Sequence, residues 1–146
     1  MRTLGKSLFA VVVVGLLGFV AIQLIPYGRD HANPPVVAEP AWDSPQTRAY
    51  AVTACFDCHS NQTMWPWYSN IAPFSWLIQH DVDEGRQALN YSEWGSGQEG
   101  GESAEAYAEG NMPLSVYLLT HPQANFPDVD RTAFLNGLRA TFGGGD

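Results

Sequence analysis

Cys55 and Cys58 stand two residues apart and His59 follows at once, giving Ala54-Cys55-Phe56-Asp57-Cys58-His59. Two thiols about one helical turn apart can both reach the vinyl groups on one edge of a porphyrin, and the adjacent imidazole then faces the iron. This spacing is the attachment signature of c-type haem. In that chemistry Cys55 and Cys58 form thioethers and His59 is the proximal iron ligand. A bare Cys-x-x-Cys could also be a redox dithiol or half of a zinc site. The first belongs in a βαβ setting and the second needs further Cys or His ligands at short spacing. Neither setting surrounds these residues, so one covalently attached haem c is the expected cofactor.

The elements that must position this motif can be read outward from it. Upstream, Asp43 or Ser44 can cap a helix with Pro45 in its first turn, and Gln46 to Thr53 continues it into the motif. Downstream, Ser60 to Asn70 is a loop rich in turn formers. It carries Met64, Trp65, Pro66, Trp67 and Tyr68, of which Trp65, Trp67 and Tyr68 are expected to wall a haem edge against water. Pro73 to Asn90 is the clearest amphipathic helix, with Phe74, Leu77, Ile78, Val82, Gly85 and Leu89 at helical spacing. Arg86, near its end, either binds a haem propionate or sits in solvent.

Gly95 to Gly110 is rich in Gly, Ser and Glu and reads as a solvated, mobile insertion with a short helix around Ser103 to Ala108. After Asn111-Met112-Pro113, Leu114 to Thr120 should form a short helix ended by His121-Pro122. Asp128 or Asp130 caps a last helix through Ala140, with Val129, Phe134, Leu135 and Leu138 inward and Gly143-Gly144-Gly145 closing it.

The N-terminal quarter is of another kind. Arg2 and Lys6 precede an apolar run over residues 8–25, long enough to span a bilayer. Positive charge on residues 1–7 predicts that flank in the cytoplasm and the remainder outside it. A cleaved signal peptide is the rival, but the only small-x-small site is Val36-Val37-Ala38, well past the apolar run, so an uncleaved anchor is favoured. Residues 26–44 hold four prolines and read as an extended tether, with His31 an exposed polar residue on it. Residues 45–146 remain for one haem-binding domain. Haem attachment to this motif is an extracytoplasmic process in bacteria, which agrees with the inferred topology and places the domain in the periplasm on the inner membrane.

Beyond residue 26 five arginines face fifteen acidic residues, a net charge of −10. That argues against nucleic acid and anionic lipid as partners of this part and for a redox protein with a basic docking surface. Simple solubility would use the same charge.

Several stretches together resemble the bacterial haem-binding-domain family of small membrane-anchored proteins and, more loosely, the class I cytochromes c. They are Ile25 to His31 with Asn33-Pro34-Pro35, Cys55 to Ser60, Trp65 to Ser69, Ala72-Pro73, Ser75-Trp76, Glu84-Gly85-Arg86, Leu89-Asn90, Ser92-Glu93-Trp94 and Met112-Pro113. The resemblance implies an all-α, class I cytochrome c-like fold around one haem and electron transfer as its use. In class I cytochromes a Met before Pro, ahead of the last helix, supplies the sixth ligand, and Met112 matches that place. His80, His121 or an open position are the alternatives, although His121 could equally bond free carbonyls at its helix end. With His59 and Met112 as ligands the chain is expected to carry single electrons and not to be an enzyme. The alternatives are a peroxidase-like enzyme or small-ligand sensor with a displaceable sixth ligand, and an interaction module that keeps haem as a staple.

Overall fold

The cap expected before the motif is formed by Ser44, whose hydroxyl accepts from the Thr47 amide and starts helix α2, Pro45–Ala54. The computed structural model describes residues 2–95, 98 and 100–143. Glu99 of the expected insertion and Gly144 and Gly145 of the expected glycine closure lie outside that set. Helix α1 covers Arg2–Ile22, α3 is the single turn Phe56–His59, α4 Phe74–Ala88, α5 Ser103–Ala108, α6 Ser115–Thr120 and α7 Asp128–Phe142, with 3-10 turns at Trp67–Asn70 and Pro122–Ala124. The only extended pairing among the described residues is an isolated parallel bridge between Ala38 and Glu93, so the fold is all-α as expected.

The chain forms two compact units. The first is Met1–Ala32 with Trp65–Asp81, and the second is Asn33–Met64 with Val82–Asp146. In the first unit, an 18-residue apolar window, Gly5–Ile22, meets the length for a membrane span and none of it is buried. α1 ends at Ile22, three residues before the apolar run does. Gln23 Nε2 donates to the Ala72 carbonyl at 3.0 Å and its Oε1 accepts from the Ala72 amide at 3.0 Å. A side-chain amide thus pairs with a buried peptide as a neighbouring strand would. His31 Nε2 lies 3.1 Å from the Ser69 carbonyl and its ring stacks on Trp65 at 4.5 Å. It is therefore not the exposed tether residue that its polar neighbours suggested.

The second unit packs α2 against α7 and α5 against α7. Gly137 makes the first crossing close, because a Cβ there would overlap the Thr47 side chain. The core joins Ala51, Ala54, Phe56, Tyr91, Ala104, Tyr107, Phe134 and Leu138. Two stretches that read as peripheral belong to it. Trp42, on the expected tether, packs on Tyr91 at 5.2 Å and Phe56 at 6.2 Å, while the Val37 amide donates to the Ser92 carbonyl. The part of the Pro-rich stretch from Asn33 on is extended, but it is fastened down. Likewise Ala104 and Tyr107 of α5 are buried, with Tyr107 edge-on to Phe134 at 4.8 Å, so this half of the expected mobile insertion is core. Two buried positions three residues apart suffice to seat a six-residue helix.

Candidate functional site

α2 hands directly to α3. The Cys55 amide donates to the Ala51 carbonyl at 2.8 Å and the His59 amide donates to the Cys55 carbonyl at 2.8 Å. Cys55, Cys58 and His59 therefore lie on one helical turn. The two residues between the cysteines, arbitrary in the motif, orient it here. Phe56 is buried in the core, stacked toward Tyr91, while Asp57 points the other way. One Asp57 carboxylate oxygen accepts from the Met64 amide at 2.9 Å and the other from the Tyr117 hydroxyl at 2.8 Å.

On the far side, α4 approaches the motif backbone so closely that a Cβ on Gly85 would lie 2.5 Å from the Cys58 carbonyl oxygen. Residue 85 must lack a side chain for this contact. One turn later α4 ends, and the Leu89 carbonyl accepts from His59 Nδ1 at 3.1 Å. An acceptor carbonyl requires the proton on Nδ1, which leaves the Nε2 lone pair as the free donor of the ring. Burial lowers the His59 pKa, ahead of the opposing carbonyl bonds, and favours the neutral ring that a metal ligand must be.

Burial pushes the Cys55 thiol up to about 12, the reverse of the depressed value that activates a redox dithiol. The two cysteines form no disulfide, and no group of three His, Cys, Asp or Glu side chains among the described residues gathers to hold a metal ion. Two thiols outside any disulfide, with a neutral, oriented imidazole beside them, fit haem better than they fit a redox dithiol or a zinc site.

The haem-binding domain family matches residues 17–140. The chain belongs to that family. It is a haem protein, and no curated protein or solved structure matches it. Within this haem-binding domain the other expected site residues fall in different places. Arg86 Nε donates to the Ser60 carbonyl at 2.9 Å, and an Arg86 NH2 group reaches Thr63 Oγ1 at 3.0 Å and Asn33 Oδ1 at 2.9 Å. Its guanidinium braces the loop that leaves the motif instead of sitting in solvent. Met112 lies between α5 and α6, its amide donating to the Ala106 carbonyl, and its side chain is 38% exposed. Trp65, Trp67 and Tyr68 belong to the first unit, where Trp65 stacks on His31 and Trp67, 77% exposed, meets Tyr68 edge-on.

Of the alternative ligands, His80 is exposed on α4. His121 Nδ1 lies 3.1 Å from the Tyr117 carbonyl, the helix-ending position read from its place before Pro122. Its ring also stacks on Tyr117 at 3.9 Å, and its Nε2 lies 3.8 Å from Asp57. Sequence reasoning missed Phe56, Asp57, Tyr117 and the Leu89 carbonyl. Only Gly85 had a visible signal, a glycine inside an otherwise apolar stripe.

Proposed function

We propose that this chain is a membrane-anchored monohaem c-type cytochrome that passes single electrons at the periplasmic face of a bacterial inner membrane. The observation that carries this reading is the His59 ring, held by the Leu89 carbonyl through Nδ1 and offering Nε2. Such a bond from the second nitrogen fixes the tautomer and raises the basicity of a ligating histidine.

Cys55 and Cys58 would hold haem covalently, as thioethers to its vinyl groups. Bound in this way, haem supplies a one-electron ferric/ferrous couple. His59 and Met112 would hold the iron, the one through an imidazole nitrogen and the other through a thioether that favours the reduced form. Gly85 lets α4 cover the motif, and Arg86 and Asp57 hold the loop behind it. Residues 5–22 span the membrane uncleaved. Cutting at Val36-Val37-Ala38 would discard Gln23, His31 and Asn33, which bond to Ala72, Ser69 and the Thr63 carbonyl respectively. The redox partner is a protein with a basic surface, matched to the acidity of the second unit.

A haem enzyme or sensor with a displaceable sixth ligand is the second reading, and Asp57, Tyr117 and His121 favour it as an acid–base cluster beside the motif. The experiment is the absorption spectrum of the full-length holoprotein in detergent, oxidised, reduced and under carbon monoxide, with Met112→Ala alongside. A low-spin c-type spectrum with the near-infrared band of Met-ligated ferric haem, lost in Met112→Ala and unmoved by carbon monoxide in the parent, supports the carrier. A haem that binds carbon monoxide readily in the parent moves the enzyme or sensor reading to first place.

A further inference from the structure

The first unit carries an exposed apolar surface at the exit of α1. Trp67 is 77% and Phe74 55% exposed, with Leu77 a turn beyond Phe74 and Tyr27 also exposed. Trp67 meets Tyr68 at 5.8 Å and Tyr68 meets Phe74 at 6.2 Å, so the patch is continuous. No Asp, Glu, Lys or Arg occurs from Cys58 to Gln79, in a chain with fifteen acidic residues.

Its height relative to a bilayer follows from Gln23. That residue directly follows the apolar window, at the level where hydrocarbon ends if α1 spans the membrane. Its two bonds to the Ala72 peptide hold Ala72 at the same level, and Gly28 backs onto Ser75 so closely that any Cβ would overlap the Ser75 carbonyl. Phe74 is two residues from Ala72 and so within about 7 Å of it along the chain. The headgroup zone on each side of the hydrocarbon is itself roughly 5–8 Å deep. Arg29, whose NH2 group donates to Gln23 Oε1, puts a cation at that boundary, and exposed Trp, Tyr and Phe are the side chains that settle there.

We propose that residues 67–77 form a platform that rests on the phospholipid surface around α1, with Trp67, Phe74 and Leu77 in the headgroup layer. The proposal rests on α1 being a retained membrane anchor. It takes Trp67 out of the expected haem wall and makes the membrane contact a property of the folded unit as well as of the span. The acid-free stretch matters here, since an acidic surface would be repelled by anionic lipid.

The test uses the full-length holoprotein in vesicles of phosphatidylcholine and phosphatidylglycerol. Trp67→Cys, Phe74→Cys, Leu119→Cys and Val12→Cys are each labelled with an environment-sensitive fluorophore, and the parent labelled identically gives the background from Cys55 and Cys58. Quenching by doxyl lipids bearing the quencher near the headgroup or deep in the acyl chain reads depth. Leu119 is the control, an apolar residue 82% exposed in the second unit. Retention of the parent haem spectrum confirms that each variant is folded.

The expected result is a blue shift and preferential quenching by the shallow quencher for the labels at 67 and 74, deep quenching at 12, and no quenching at 119. Deep quenching at 12 with labels at 67 and 74 behaving like that at 119 overturns the platform and leaves the anchor standing. No quenching at 12 overturns the anchor and the platform with it. Equal quenching at 67, 74 and 119 overturns the assignment to this segment.

Discussion

The first unit holds three basic residues against two acids and the second four arginines against thirteen acids, so the one is nearly neutral and the other carries −9. Their aromatics are used differently too. Phe134 and Tyr91 of the second unit are sealed in a core, whereas Trp67 and Phe74 of the first stand in the open. A globular region in water buries its rings and exposes acids, while on the proposed platform the first unit would leave rings uncovered for lipid to cover. The motif and its supports belong to the former. The comparison yields four measurable consequences.

The largest separates the two kinds of aromatic. Phe134→Ala empties a fully buried site packed on Tyr50, Tyr107 and Phe126 and should cost about 3–5 kcal/mol. Trp67→Ala should leave the denaturant midpoint of the detergent-solubilised holoprotein nearly unchanged. Similar losses for both would mean that Trp67 is structural and the contrast between the units false.

Glycines give the next contrast. Gly85→Ala drives a Cβ into the Cys58 backbone, which cannot rotate away, and should destabilise the holoprotein by roughly 1–3 kcal/mol while lowering the yield of attached haem. Gly18→Ala on α1, where a Cβ meets nothing within 4 Å, should change neither. Haem staining of expressed protein and chemical unfolding read both variants.

Gln23→Ala acts within the first unit alone. It removes the partner of the buried Ala72 peptide at a cost of about 1–2 kcal/mol. Amide exchange should accelerate in residues 69–75 and stay unchanged in α5 and α7, as expected when units open separately. Acceleration in both would show that they unfold together.

These differences were unequally visible in the sequence. Helices α2, α4, α6 and α7 announced themselves through Ser44, Pro45, the apolar spacing of Phe74 to Leu89 and the acids at 128 and 130, because caps and periodicity are local signals. The acids do not cap α7, however: the N-cap is Pro127, Asp128 and Asp130 lie in the first turn, and Val129, expected inward, is exposed. α4 nevertheless stops at Ala88, two residues short of its expected end, where the Leu89 carbonyl turns to His59. A backbone carbonyl has no side-chain signature, so the feature that orients the candidate ligand was invisible. Trp42 among prolines and Tyr107 among glutamates were read by their neighbours' composition, and a single large ring with a core to enter outweighed that composition. The cysteines and histidine were legible because attachment chemistry fixes their spacing. Phe56 and Asp57 were not, since the motif leaves them free and only the surrounding fold gives them work.

The smallest effect concerns charge within the acidic unit. Arg48 Nε and NH2 each lie 2.6 Å from a Glu39 oxygen, a two-pronged ion pair joining the extended stretch to α2. The Arg48 hydrogen bond is the main cause that lowers the Glu39 pKa, with burial opposing it. A carboxylate whose folded value lies below its unfolded one contributes its stability in full above the unfolded value and loses it as pH falls through the folded value. The loss should therefore begin near the ordinary glutamate value of about 4.3 and be complete only below the lowered folded value. The pair is partly exposed, so its contribution is at most about 1 kcal/mol and shrinks with added salt. Glu39→Gln should lower stability at neutral pH by that amount and converge with the parent as the pH falls below the lowered folded value, where the parent carboxylate is itself protonated. A difference that persists unchanged at acid pH would show that Glu39 acts by packing beside Trp42, and that the charge of the second unit does not help to hold it together.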